Sequence, residues 1–152
     1  MQLDEAQLKE FNKSRLLALV IGVVAPILYL VIAHQMKTRV GQPGGHTDMV
    51  FYILLVVACL EPLLIPLIER FQLSAYRSKN HGTMSPAQLA TSMVIIRMAV
   101  VASAFIYGLV SFILSGELTR MYYFYPIGAV WMVVHWPRRD KYAQFIEKAT
   151  QT

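Results

Sequence analysis

The fold is decided by residues 89–114, which read LATSMVIIRMAVVASAFIYGLVSFIL and contain one charged residue, Arg97. About 20 apolar residues are enough to cross the hydrocarbon core of a bilayer as a helix, and this stretch is longer. Residues 85–88 (SPAQ) precede it as a capping box with proline at the first helical position, and residues 115–116 (SG) follow it. The stretch therefore predicts a membrane-spanning helix with a marked start and stop.

Three further apolar runs lie on either side of this stretch. Residues 16–34 contain no Asp, Glu, Lys or Arg and have a central proline, and residues 49–68 are interrupted by Glu61. Residues 118–136 form the least apolar run, with aromatic residues near both ends, a pattern typical of the two membrane–water interfaces. Together with residues 89–114, these runs predict four membrane spans.

The composition agrees with a membrane protein. Of 152 residues, 56% are hydrophobic and 15% are charged, whereas charged residues make up about 25% of an ordinary soluble domain. This composition excludes a disordered chain and the usual kind of nucleic-acid binder, and the single cysteine excludes a disulfide scaffold. The predicted fold class is all-α, a single four-helix transmembrane domain spanning residues 1–152.

The two ends of the chain are polar and predict short amphipathic juxtamembrane helices. Residues 1–13 carry Asp4, Glu5, Lys9 and Glu10 and precede the first apolar run. In residues 137–152, apolar positions recur at helical spacing between basic ones, which predicts a helix that lies on the membrane surface. The apolar positions of this C-terminal helix are Tyr142, Phe145, Ile146 and Ala149.

The distribution of Lys and Arg predicts the orientation of the four spans. With four spans, one side of the membrane receives Lys9, Lys13, Arg15, Arg70, Arg77, Lys79, Arg138, Arg139, Lys141 and Lys148. The other side receives Lys37, Arg39 and Arg120, a bias of 10 to 3. Because cytoplasmic loops are rich in Lys and Arg, both termini are predicted to be cytoplasmic. The predicted location of the protein is the inner membrane of the cell. Without the fourth span the split would be 6 to 7 and the bias would disappear.

Glu61 and Arg97 are charged residues inside the predicted membrane spans. Glu61 lies nine residues before Arg70 and Arg97 lies eight residues after Leu89, which places them roughly 13 Å and 12 Å from the same side. A lone charge at the bilayer centre costs about 2.5–3.5 kcal/mol on insertion scales, so we predict that the two side chains pair.

Three readings of this predicted pair stay open. It is a structural ion pair that joins the second and third helices, or Glu61 is a functional carboxylate in a proton or ion path. An arginine beside Glu61 would lower its pKa and make it a poor proton carrier. In the third reading, the charges pair with a partner subunit or Arg97 extends to the interface.

One face of the third helix is small and polar. Ala104, Gly108, Ser111 and Ser115 fall within roughly 40° of Arg97 at 100° per residue. Small residues let helices approach closely in lipid, so we predict a helix-packing face whose partner need not come from this chain.

The four histidines do not predict a haem or metal site. His34 and His46 fall on the non-cytoplasmic side, and His81 and His135 on the other. His34 and His135 lie at opposite ends of their helices and cannot meet. We predict no metal, no cofactor and no catalytic residues.

The third helix also resembles one helix of a known family. Its segment Arg97-Met-Ala-Val-Val-Ala-Ser-Ala-Phe-Ile-Tyr-Gly-Leu109 resembles the second helix of rotary ATPase proteolipids, in which an alanine-rich stretch with a carboxylate precedes Ile-Tyr-Gly-Leu. The resemblance covers about 15 of 152 residues, and Ala102 stands where the proton-carrying carboxylate would be. It implies a distant, carboxylate-free relative of that helix and not a working ring subunit.

These observations favour a non-catalytic protein over an enzyme. The first hypothesis is an accessory or assembly subunit of a larger membrane complex, whose partners are the lipid bilayer and other membrane subunits or further copies of itself, with no nucleic acid. The alternative is a small oligomeric transporter or ion-conducting protein centred on Glu61. An integral-membrane enzyme ranks last, because only Glu61 and Arg97 converge at one depth.

Overall fold

The computed structural model describes residues 3–37, 47–78 and 84–150, with the side chain of residue 47 left out. Every regular element in these ranges is a helix. In chain order they are α1 (Glu5–Met36), α2 (Thr47–Ser78), α3 (Pro86–Ser115), α4 (Leu118–His135) and α5 (Arg139–Thr150). The described part of the chain is therefore all-helical, as the sequence predicts.

Helix α1 begins with a capping box and runs without a break through the polar N-terminal segment and the first apolar run. The Asp4 carboxylate accepts from the Gln7 backbone N–H at 2.7 Å, and the Gln7 side chain accepts from the Asp4 backbone N–H at 3.2 Å. A π-helical segment, Val20–Val24, separates Glu5–Leu19 from Ala25–Met36. Pro26 accounts for this segment, because proline lacks an N–H donor and its ring crowds the preceding turn.

Helix α2 changes its winding where Glu61 lies. The α-helical segments Thr47–Leu60 and Ile65–Ser78 flank a 3-10 turn, Glu61–Leu64. Pro62 and Pro66 each remove a backbone donor in this region, and the Ile65 N–H donates to the Pro62 carbonyl instead. The two prolines therefore account for the local tightening of the helix around Glu61.

Helices α3 and α4 form a closely packed antiparallel hairpin. The predicted capping box at Ser85 is present, and α3 ends at Gly116, whose φ of 72° is left-handed. A Cβ added at Gly108 would lie 3.1 Å from the Met121 carbonyl oxygen, and one at Gly128 would lie 2.6–2.8 Å from ring atoms of Phe105. The two glycines thus bring the backbone of each helix close to the other.

Helix α3 lies at the centre of the molecule and contacts each of the other helices. Ala104 on α3 is buried in one cluster with Ala58 of α2 and Phe124 of α4. Ala18 of α1 and Ile146 of α5 belong to a second cluster around the N-terminal half of α3. The core is therefore organised around one helix.

Three helices are long and apolar enough to cross a membrane: Glu5–Met36, Asp48–Ser78 and Pro86–Ser115. They include the first three predicted spans, while the fourth predicted span coincides with the shorter α4, which is outside this set. Many large apolar side chains on α1 and α2 are exposed, including Leu16, Ile27, Leu28, Ile53, Val56, Leu63 and Leu67. Three such helices with apolar outer faces indicate a membrane protein.

Candidate functional site

Glu61 lies between α2 and α3 and is held by two hydroxyl groups. Its Oε2 accepts a hydrogen bond from Ser103 Oγ at 2.8 Å and another from Tyr107 Oη at 2.7 Å. All three side chains are partly buried. The 3-10 turn therefore places a carboxylate against a polar patch of α3, at a depth where both helices are otherwise apolar.

Arg97 pairs with Glu69, and the predicted Arg97–Glu61 pair is wrong. Arg97 Nη2 forms an ion pair with Glu69 Oε1, two helical turns further along α2 than Glu61. The side chains of Arg97 and Glu69 are 16% and 26% exposed, so the pair is largely shielded from solvent. The physical reason is the register of α2 against α3, which brings Glu69 and not Glu61 to the level of Arg97.

A cavity of about 250 Å³ adjoins the Arg97–Glu69 pair. It lies between the C-terminal part of α2, the N-terminal half of α3, the end of α4 and α5. Its polar lining is Glu69, Arg97, His135, Lys141, Gln144 and Lys148. Three Lys and Arg side chains thus face one carboxylate, and the lining has a net positive charge. The site is not predicted from the sequence, because residues 69, 141 and 148 all lie outside the predicted spans.

Helix α5 closes the end of the bundle that contains the cavity. Tyr142 Oη donates to the Ala87 carbonyl at 2.9 Å and lies 3.0 Å from Thr91 Oγ1, while its ring packs on Phe11 with centroids 5.2 Å apart. Burial raises the pKa of the Tyr142 phenol. The apolar face of α5 therefore packs against α1 and α3. The sequence instead predicts that this face contacts the membrane surface.

A second charged cluster lies at the opposite end of the bundle. Arg120 of α4 pairs with Asp48 at 2.6 Å and with Glu117 at 2.8 Å, and its guanidinium lies 5.5 Å from the Phe51 ring centroid. The ion pair of Arg120 with Asp48 and the contact of Arg120 with Phe51 connect the start of α4 to the start of α2. The spacing of three residues between Glu117 and Arg120 is the only sequence signal for it.

The predicted helix-packing face of α3 is buried within this chain. Ala104, Ser111 and Ser115 are each at most 3% exposed, and Gly108 lies against Met121 of α4. Ser115 Oγ donates to the Ser111 carbonyl at 2.8 Å. The small residues thus allow α2 and α4 of the same chain to approach α3.

Two of the four histidines lie in the described ranges. His34 Nδ1 lies 3.2 Å from the Leu30 carbonyl oxygen, and His135 stacks on Trp131 beside the cavity. His46 and His81 lie outside the described residues, as do Arg39 and Lys79 of the charge count. Within the part of the chain that the structure describes, no three His, Cys, Asp or Glu side chains are grouped so that they could hold a metal ion.

Comparison of this chain with protein-family models, curated proteins and solved structures finds no match. The resemblance of residues 97–109 to a proteolipid helix stays a prediction.

Proposed function

We propose that this chain is an integral protein of the inner membrane with four spans and both termini in the cytoplasm. Helix α4 returns beside α3 after a short turn, and its 18 residues extend about 27 Å, close to the roughly 30 Å of a hydrocarbon core. The charge bias of 10 to 3 supports this orientation.

We propose further that the protein is a non-catalytic accessory or assembly subunit of a larger membrane complex. The observation that supports this most directly is the environment of Glu61. Ser103 and Tyr107 satisfy one of its oxygens, and it takes part in none of the ion pairs among the described residues. Its neighbours Leu60 and Leu63 are both more than half exposed.

A carboxylate at the edge of an apolar outer surface favours contact with a partner helix. A charge in a span costs several kcal/mol unless it is paired or buried in protein. The hydroxyls of Ser103 and Tyr107 offset part of this cost, and a Lys or Arg on a second membrane subunit would offset the rest. Such a subunit would cover the exposed face of α2 around Glu61.

A second candidate, a small oligomeric transporter or ion-conducting protein centred on Glu61, is favoured by the same hydrogen bonds. Because Arg97 pairs with Glu69, no arginine in the described part of the chain forms an ion pair with Glu61. A carboxyl group between two hydroxyls is a suitable ligand for a proton or a small cation.

Native mass spectrometry after gentle detergent extraction tests the subunit proposal. We expect the chain to travel with other membrane subunits in a fixed ratio. Recovery of the chain alone, or only with copies of itself, would contradict the proposal and favour the transporter.

Glu61→Gln separates the two candidates further. If Glu61 pairs with a partner, the variant should lose its partners and fall in cellular abundance. Normal abundance with loss of ion or proton flux would favour transport. Glu5→Gln, an exposed change of the same kind at the start of α1, is the matched control and should change neither quantity.

A further inference from the structure

We propose that the cavity beside the Arg97–Glu69 pair binds the phosphate of an anionic phospholipid headgroup. This inference concerns a different site from Glu61 and goes beyond the proposed function. It therefore fails or succeeds independently of the partner-subunit proposal.

The charges around the cavity are the first ground for this inference. Arg97 is paired with Glu69, whereas Lys141 and Lys148 take part in no ion pair among the described residues. Two lysines at the wall of one cavity repel each other, and an anion between them would relieve the repulsion. Phosphate oxygens accept hydrogen bonds from both Lys and Arg, which makes phosphate the matching group.

Arg97 is the second ground. Its Nε is buried and has no hydrogen-bond partner, although its Nη2 pairs with Glu69. A buried donor without a partner is unfavourable, because it has lost its hydrogen bond to water without gaining another. The guanidinium has five donors in a fixed plane, and Arg97 lines the cavity, so its accessible edge offers donors to a phosphate oxygen.

The packing of α5 fixes the backbone positions of the two lysines, whose side chains are exposed. Lys141 and Lys148 are seven residues apart on α5, so they lie on one face of the helix at roughly 10 Å along its axis. Arg77 Nη2 of α2 donates to the Lys148 carbonyl at 2.5 Å, and Tyr142 fixes the other end of α5 on α3. The backbone that carries both lysines is thus part of the packed bundle.

The rest of the cavity wall favours a lipid over a free phosphate ion. Ile65, Pro66, Leu73 and Phe145 line the cavity next to the charged side chains. This arrangement offers apolar surface to the acyl end of a lipid and cations to its headgroup. Basic pockets of this kind, between helices at the cytoplasmic side of a membrane, suit anionic headgroups.

Lipid retention by the full chain tests the proposal. The purified protein is depleted of lipid, supplied with phosphatidylglycerol or phosphatidylcholine of the same acyl chains, and measured by native mass spectrometry. We expect phosphatidylglycerol to be preferred, and Lys141→Gln/Lys148→Gln to reduce the preference roughly ten- to thirty-fold, since each lost Lys–phosphate hydrogen bond contributes about 1 kcal/mol.

Two matched pairs of variants separate the site from general charge and from folding. Lys9→Gln/Lys13→Gln removes two exposed lysines of α1 and should leave the preference unchanged. Lys141→Arg/Lys148→Arg keeps both charges and should retain the preference. Equal binding of the two lipids, or a preference that survives Lys141→Gln/Lys148→Gln, would overturn the proposal.

Competition with inorganic phosphate distinguishes the two sources of the ligand. We expect an excess of inorganic phosphate to leave phosphatidylglycerol bound, because the ion makes no contact with the apolar wall. Displacement of the lipid by phosphate would show that the site takes a free anion and that the assignment to a lipid is wrong.

Discussion

At the scale of single residues, the Arg97–Glu69 pair joins α2 to α3. Both side chains are largely shielded, so removing one partner leaves the other charge poorly solvated. We predict that Glu69→Gln lowers the free energy of unfolding by roughly 2–4 kcal/mol, measured by thermal unfolding in detergent micelles. Glu5→Gln, at an exposed position, should leave it nearly unchanged.

A double-mutant cycle shows which carboxylate Arg97 contacts. Residues in direct contact have coupling energies of about 0.5–3 kcal/mol, whereas separated residues are nearly additive. We predict measurable coupling between Glu69→Gln and Arg97→Gln, and additivity between Glu61→Gln and Arg97→Gln. Strong coupling in the second cycle would be incompatible with the described geometry.

The error in the predicted pair has a simple physical origin. The predicted depths take Arg70 and Leu89 as the ends of the two helices, but α2 continues to Ser78 and α3 begins at Pro86. Glu61 lies 17 residues before the end of α2 at Ser78, and Ser103 lies 17 residues after the start of α3 at Pro86. Counting from the helix ends therefore places Glu61 opposite Ser103, its actual partner.

At the scale of helices, the α3–α4 hairpin depends on Gly128. A Cβ at this position would lie 2.6–2.8 Å from three atoms of the Phe105 ring, which is itself buried against Tyr125. We predict that Gly128→Ala destabilises the protein by about 1–3 kcal/mol through overpacking, despite the better helix propensity of alanine.

Thermal unfolding of the Gly128→Ala variant in micelles measures this effect. Ala129→Ser changes the adjacent exposed position and should have little effect. A Gly128→Ala variant as stable as the original chain would mean that the Phe105 ring can move aside at little cost.

The start and stop of α3 were predictable from the sequence because they depend on local chemistry. The capping box at Ser85 and the stop at Gly116 are both present. The cavity between α2 and α5 was not predictable, since Lys141 and Lys148 read as part of a solvated face. Which face of α5 meets protein depends on how the helices dock, and hydropathy alone does not distinguish a protein surface from a membrane surface.

At the scale of the whole molecule, the number of spans determines where the C-terminus lies. We predict that a membrane-impermeant maleimide, used in a Cys59→Ser background, labels Glu5→Cys, Ser78→Cys and Thr150→Cys from the cytoplasmic side. Thr119→Cys should be labelled from the opposite side. All four positions are exposed and lie at a helix end or one residue from it.

The alternative is a chain in which α4 does not cross the membrane. In that case Thr150→Cys and Thr119→Cys would be labelled on the same side, opposite to Glu5→Cys. The labelling pattern therefore decides between four spans and the three helices that are long and apolar enough to cross by themselves.

The central position of α3 also has a consequence for the biosynthesis of the protein. Ribosomes make a chain from its N-terminus at about 5–20 residues per second, so Ser115 is joined roughly 2–7 s after Ser78. During this interval α1 and α2 are complete but lack the helix that holds them together. Newly made chains therefore pass through a stage with two unassembled helices, and this stage is where insertion factors and quality-control proteases would act on them.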